Sequence, residues 1–362
     1  MDFGLSDDQE ALGGAARALL DRHAAPDRVR AHLASGDAYD AGLWSVMAEQ
    51  GWLGVTLPEK QGGVGLGWVE AAVLAGETGR RVAPVPFVPT LLALATIADG
   101  DESAHHWIEP LAEGRAIGAV AWSSRPGAFR AEQAASGDWL LTGRSDPVDA
   151  ASMADVVVVV LEEAVFAVDL GRVGRPGAQP AMDETRRLSW LELAGAPALR
   201  IGGADLARSV ADRGALASAA EMLGGAQMVL EMAVGYAKER VQFGQPIGSF
   251  QAVKHRCADM LVDVEGMRSA VWFAACCLDG EGDDDPSLAA STAKIWCNDA
   301  SERVMASGLQ VHGGIGFTWE HDLHLYLKRA QLDRQSFGDA DHHRTRLASA
   351  IRERLEAGVG VI

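Results

Sequence analysis

The sequence predicts an α+β protein in three consecutive segments: helical to about residue 115, β-rich from 116 to about 204, and helical again from about 205 to the end. Three observations carry this. Apolar residues recur at helical spacing in both flanking segments. Between them, Val156-Val157-Val158-Val159-Val160 puts five β-branched residues in a row, the strongest strand signal in the chain. The 362 residues, 48% of them hydrophobic, suffice for more than one core.

In the first segment, Ser6 can cap a helix, with Gln9 and Glu10 at or beside the reciprocal position. Leu12, Ala15, Ala16, Leu19 and Leu20 then follow at helical spacing. A Gly/Pro break occupies Leu57 to Gly65, and a helix is predicted from about Trp68 to Thr78. Pro84, Pro86 and Pro89 end it and lead into another from about Thr90. In the middle segment, Ile117–Trp122, Trp139–Thr142, Val156–Leu161, Val165–Val168 and Leu188–Leu193 read as short strands. No helical pattern intervenes, which predicts an antiparallel β domain. In the last segment, helices are predicted over 207–240, 251–278, 287–311 and 322–332, a four-helix bundle with short connections. An acidic loop, Asp279 to Pro286, separates the second and third.

Composition excludes some functions. There are 32 basic and 50 acidic residues, a net charge of −18. Nucleic-acid binding needs clustered cations, so this balance argues against it. No uncharged apolar run reaches about 18 residues, so no membrane-spanning helix is expected. The start, Met1-Asp2-Phe3-Gly4-Leu5-Ser6-Asp7-Asp8, lacks the basic and apolar regions of a signal peptide, and a cytoplasmic protein is expected. Cys257, Cys276, Cys277 and Cys297 form no CxxC pair and read as reduced thiols.

Two motifs in the last segment bear on chemistry. The first runs Arg240-Val241-Gln242-Phe243-Gly244-Gln245-Pro246-Ile247-Gly248-Ser249-Phe250-Gln251. An Arg ending a helix can grip a phosphate bidentately, or can simply complement the helix dipole. Pro and Gly fix a tight link, and the Gln251 amide can hydrogen-bond a ligand. The second is Gln310-Val311-His312-Gly313-Gly314-Ile315-Gly316-Phe317. Its glycines would let backbone N–H groups approach a pyrophosphate, although glycine also ends many ordinary helices.

With Gly51–Gly63 and Tyr236–Gly244, these motifs resemble the acyl-CoA dehydrogenase family over nearly the whole length. The resemblance implies that family's fold, FAD as cofactor and an acyl-CoA thioester as substrate. Arg240, Phe243, Gln251, Gln310, Gly313 and Gly314 would contact the adenosine and pyrophosphate end of FAD across a subunit interface. That implies an oligomer, usually a dimer of dimers, passing electrons to an electron-transfer flavoprotein or another acceptor.

The chain also departs from the family. A flavin-covering loop of Thr/Ser-Glu-Pro-x-Ala-Gly-Ser-Asp type is eroded here to Ala121–Arg130. The flavin-flanking Trp-x-Ser/Thr falls at Pro147-Val148-Asp149. The reaction needs a carboxylate at the substrate's Cα in a dry site. The two positions where the family carries it correspond to Phe337 and Gly214. Glu221, two turns beyond Gly214, and Asp339, two residues past Phe337, are the substitute candidates, although a structural role suits each as well. His342 and His343 beside Asp339 and Asp341 read as a surface loop rather than a metal site.

This combination resembles the base-lacking subunit of heterotetrameric acyl-CoA dehydrogenases of actinobacterial sterol degradation, which act on bulky thioesters. The alternatives are a self-sufficient homo-oligomer with a relocated base, a same-fold flavin monooxygenase or oxidase, and a scaffold without flavin.

Overall fold

A computed structural model describes residues 4–125, 127–281, 284–356 and 358. Pro126 of the eroded loop and Gly282 and Asp283 of the acidic loop lie outside the described residues, as do Met1, Asp2 and Phe3. In chain order the helices are α1 (Asp7–His23), α2 (Pro26–Ser35), α3 (Ala41–Glu49), α4 (Trp68–Arg80), α5 (Phe87–Asp99) and α6 (Ile108–Ala112). Strands β1 (Gly118–Ala121), β2 (Phe129–Gln133), β3 (Trp139–Asp149), β4 (Val156–Val160) and β5 (Ala164–Asp169) follow. Short α7 (Leu170–Val173) and the long β6 (Leu188–Gly203) complete the middle of the chain. Then come α8 (Ala204–Glu239), β7 (Val241–Gln242), β8 (Gln245–Pro246), α9 (Gln251–Leu278), α10 (Pro286–His312), α11 (Leu323–Gln335) and α12 (Ala340–Glu356). No helix of the described residues is long and apolar enough to cross a membrane.

The chain forms two compact units. One comprises Arg28–Ala71 and Pro84–Gly214. Its six-stranded sheet has the order β1-β4-β5-β6-β3-β2. Four of the five pairings are antiparallel, but β1 runs parallel to β4, a correction to the all-antiparallel expectation. The reason is that the chain leaves β1, builds the β2–β3 hairpin and only then returns as β4, so no tight turn joins β1 to its neighbour. The valine run of β4 is the sheet's dry centre, with Val156 to Val159 fully buried. Helix α5 is buried from Phe87 to Ile97 and starts three residues earlier than Thr90, with Pro89 in its first turn. It lies so close to β1 that a Cβ on Gly118 would come 2.6 Å from the Ala93 side chain.

The other unit comprises the chain up to Asp27, Ala72–Ala83, and everything from Ala215 on. Ser6 and Gln9 form the expected capping box on α1. Glycines set the crossing between α4 and α8. A Cβ on Gly224 would sit 1.8 Å from the Gly76 carbonyl oxygen, and one on Gly79 2.2 Å from that of Glu221. The four expected bundle helices are present as α8 to α11. A fifth, α12, starts at Ala340, so His342 and His343 are helical rather than in the expected surface loop. Its apolar stripe is thin (Leu347, Ile351, Leu355), and Gly338, with φ +99°, is what separates it from α11.

Candidate functional site

The first motif is a β-hairpin at the end of α8. Strands β7 and β8 pair Val241 with Pro246 and Gln242 with Gln245. That leaves Phe243 and Gly244 as the turn, at φ +53° and +79°. Two positive φ values are what a type I′ hairpin turn requires. Gly244 adopts this freely, but Phe243 does so against its own preference. The residue is 91% exposed, and its ring meets that of Phe250 edge-on, at 6.1 Å between centroids. A strained, solvent-facing aromatic is costly to keep unless it binds something. The hairpin folds back through Ile247 N–H donating to the Arg240 carbonyl at 2.8 Å. Gly248 then presses on α8, where a Cβ would come 2.9 Å from the Ala237 carbonyl oxygen. The Arg240 side chain is exposed, and Gln251 stands exposed as the first residue of α9.

The second motif ends α10. Gln310 is exposed in the helix's last turn. Gly313 turns the chain at φ +61° into a short 3-10 segment, Gly313–Phe317. Nothing lies within 4 Å of where a Cβ would project on Gly313 or Gly314, so a ligand can come close to the backbone there, while the Gly313 N–H itself donates to the Leu309 carbonyl as the cap of α10. Beyond them Phe317 and Trp319 are 74% and 66% exposed. Tyr236, one turn before Arg240, stacks on His312 of the second motif at 4.9 Å and 25°.

The middle segment carries different chemistry from the one the family resemblance implies. Ser123 Oγ donates to Asp146 Oδ2 at 2.6 Å, and Arg125 pairs with the other oxygen of the same carboxylate. Asp149, at the flavin-flanking position, pairs with buried Arg186 at 3.4 Å. Arg186 also donates to the Val85 carbonyl at 3.0 Å. The polar groups here are thus engaged with one another.

Neither substitute carboxylate stands free. Glu221 is 3% exposed and ion-paired with Arg329, itself 2% exposed, at 3.3 Å, with the Thr78 hydroxyl at 3.5 Å. Asp339 is exposed and caps α12, accepting from His342 N–H at 2.8 Å. Phe337 holds a positive φ of 55° between α11 and α12, and Gly214 has no side chain.

Sequence reading missed a buried polar cluster beside Phe337. His342 and His343 belong to α12, not to a surface loop, and His343 is 1% exposed. Its Nε2–H donates to the Phe337 carbonyl at 2.9 Å, leaving Nδ1 facing the Ser291 hydroxyl at 3.2 Å. Burial drives its pKa down to about 3. Fully buried Lys294 donates to the Asp333 carbonyl at 2.5 Å and to Asn298 Oδ1 at 3.2 Å. Desolvation lowers it to about 7 against the pull of Asp333. Asn298 in turn donates to the Arg334 carbonyl at 3.3 Å. The cluster therefore satisfies the last carbonyls of α11 and fixes the loop around Phe337. The signal was available: Lys294, Asn298 and Ser291 fall among alanines on one face of α10.

Comparison with known proteins follows the same lines. Residues 6–115 match the family model for the acyl-CoA dehydrogenase N-terminal domain, and residues 202–352 the one for the C-terminal domain. Acyl-CoA dehydrogenase IpdE2 of Mycobacterium tuberculosis is 36% identical over 351 residues, 96% of this chain and 98% of that protein. Among solved structures, the ChsE4–ChsE5 complex from Mycobacterium tuberculosis matches with a TM-score of 0.90 and 30% identity, covering 98% of this chain and 99% of the other. A variant of the Tcur3481–Tcur3483 steroid ACAD matches at 0.89 and 31%, covering 97% and 99%.

Proposed function

Since the chain belongs to the acyl-CoA dehydrogenase family, we propose that it works as the base-lacking subunit of a heteromeric enzyme that desaturates a bulky, steroid-derived acyl-CoA. It is an FAD-dependent oxidoreductase of acyl-CoA thioesters. The observation that carries the subunit assignment concerns four positions. Phe337 and Gly214 offer no carboxylate, Glu221 is tied to Arg329, and Asp339 caps a helix. None is available to take a proton from a substrate's Cα, so a partner's carboxylate does so. The two similar solved structures, a steroid ACAD and a ChsE4–ChsE5 complex, support the heteromer and the substrate class. They favour neither a self-sufficient homo-oligomer nor a monooxygenase or oxidase. A cytoplasmic location, and an electron-transfer flavoprotein or similar acceptor, belong to the same proposal.

The residues present suit the adenosine end of FAD. An exposed guanidinium and two exposed side-chain amides form a donor set for a pyrophosphate and its sugar, and two glycines leave room for it to approach the backbone. Bound FAD supplies the acceptor for the substrate's β-hydride. Arg240 would neutralise a phosphate, Gly313 and Gly314 would let the pyrophosphate approach the backbone without Cβ obstruction, and Gln251 and Gln310 would hydrogen-bond the polar edge. Phe243 would cover the adenosine and exclude water, which accounts for its strained exposure. In the middle segment the pairs Arg125–Asp146 and Asp149–Arg186 take up groups that a flavin ring would otherwise meet. This supports a role in which the chain completes a partner's flavin site.

The test is flavin absorbance per protomer with mass by light scattering, first on the chain alone and then with a base-carrying dehydrogenase subunit. A colourless chain that yields a yellow heteromer is expected. A yellow homotetramer with about one FAD per chain would overturn the assignment.

A further inference from the structure

We infer that the rings of Tyr236, His312 and His321 form a clamp that holds the two flavin-binding segments at their working separation. This rests on the flavin reading above and adds positioning residues to it. Helices α8 and α10 meet closely at Gly308, where a Cβ would come 2.4 Å from Val229 Cγ1. One turn further along α10 stands His312, and two turns further along α8 stands Tyr236, so the stack ends that seam. Past it both helices end, α8 at Glu239 just before Arg240, and α10 at His312 just before Gly313 and Gly314.

The His312 ring is held on several sides. Its Nδ1–H donates to the Gly308 carbonyl at 2.7 Å, one face stacks on Tyr236, and the ring is 4% exposed. His321 meets it at 4.5 Å and 60°. His321 Nδ1 accepts from Leu323 N–H at 3.2 Å, so that nitrogen carries no proton and the ring is anchored to the start of α11. His312 and His321 therefore bracket the glycine segment, one at each end. Without the clamp the Gly313–Gly314 segment would lose its fixed distance from Arg240. Neither Tyr236 nor the two histidines need touch FAD for this.

The experiment measures FAD dissociation from the flavin-loaded oligomer, with melting temperature at saturating FAD and visible circular dichroism of the flavin. Tyr236→Leu and His312→Leu should each weaken FAD about three- to tenfold, the scale of one lost aromatic pair. Tyr236→Phe, which keeps the ring, should restore parental retention and the parental spectrum. Arg240→Ala is run in parallel. Leu variants that hold FAD as tightly as the parent while Arg240→Ala loses it would overturn the clamp alone. If Tyr236→Phe loses as much as Tyr236→Leu, the hydroxyl and not the ring matters, and the clamp fails. Unchanged flavin in Arg240→Ala would instead remove the flavin reading beneath it. Should Tyr236→Leu not fold, His312→Leu decides.

Discussion

Glu221 and Arg329 illustrate how a single contact changes a residue's meaning. By spacing, Glu221 is a carboxylate on the helix face that carries the base in part of the family. In the fold it is the partner of a buried guanidinium. Removing one member of such a pair costs roughly 3 kcal/mol because the other keeps its desolvated charge. Glu221→Gln should therefore lower stability in urea by about that much, while turnover per folded molecule of the assembled enzyme stays near parental. Asp339→Asn should leave turnover near parental too. A loss of roughly 10³-fold in either, at equal folded fraction, would identify a base. Arg240 is the opposite case, an exposed cation in a strained hairpin's company. Arg240→Ala should cut flavin content, read by absorbance, with little change in the melting temperature of the flavin-free chain.

At the scale of elements, glycine placement decides which helices can touch. Gly224 is helix-unfavourable by about 1 kcal/mol relative to Ala, yet a Cβ there would strike the backbone of α4. Gly224→Ala should therefore destabilise, by about 1–3 kcal/mol in urea unfolding, although Ala is the better helix former. The same substitution at Gly235, where nothing lies within 4 Å, should be neutral or stabilising. The turn between α11 and α12 shows a second such decision. Phe337 and Gly338 both hold positive φ, and buried His343 bonds the carbonyl of the first.

For the whole molecule, that histidine sets an acid limit. His343 has a folded pKa of about 3, below its ordinary 6.5. Above pH 6.5 it is neutral whether folded or unfolded, so its contribution is fully present. Between 6.5 and 3 the unfolded chain binds the proton and the folded chain does not, so stability falls with pH across that window. His343→Asn should flatten this slope in thermal melts taken from pH 7 down to pH 4, whatever its effect on stability at neutral pH. The net charge of −18 adds a milder trend of opposite sign, since acid reduces self-repulsion. Comparing slopes between parent and variant separates the two.

Much of this protein was determined by local sequence. Helical periodicity fixed α8 to α11, the valine run fixed β4, and the Gly and Pro residues after Arg240 fixed a tight link between two helices, because each depends on neighbours a few residues away. The family and its FAD motifs were legible for the same reason, as short runs of Arg, Gln and Gly in sequence. Tertiary structure alone decided the rest. The parallel pairing of β1 with β4, the burial of Glu221 against Arg329 and of Lys294 among α11 carbonyls, and the meeting of Tyr236 with His312 all join residues dozens to over a hundred positions apart. Such contacts depend on which faces the packed helices and strands turn to each other, and periodicity along one element carries no information about its partner.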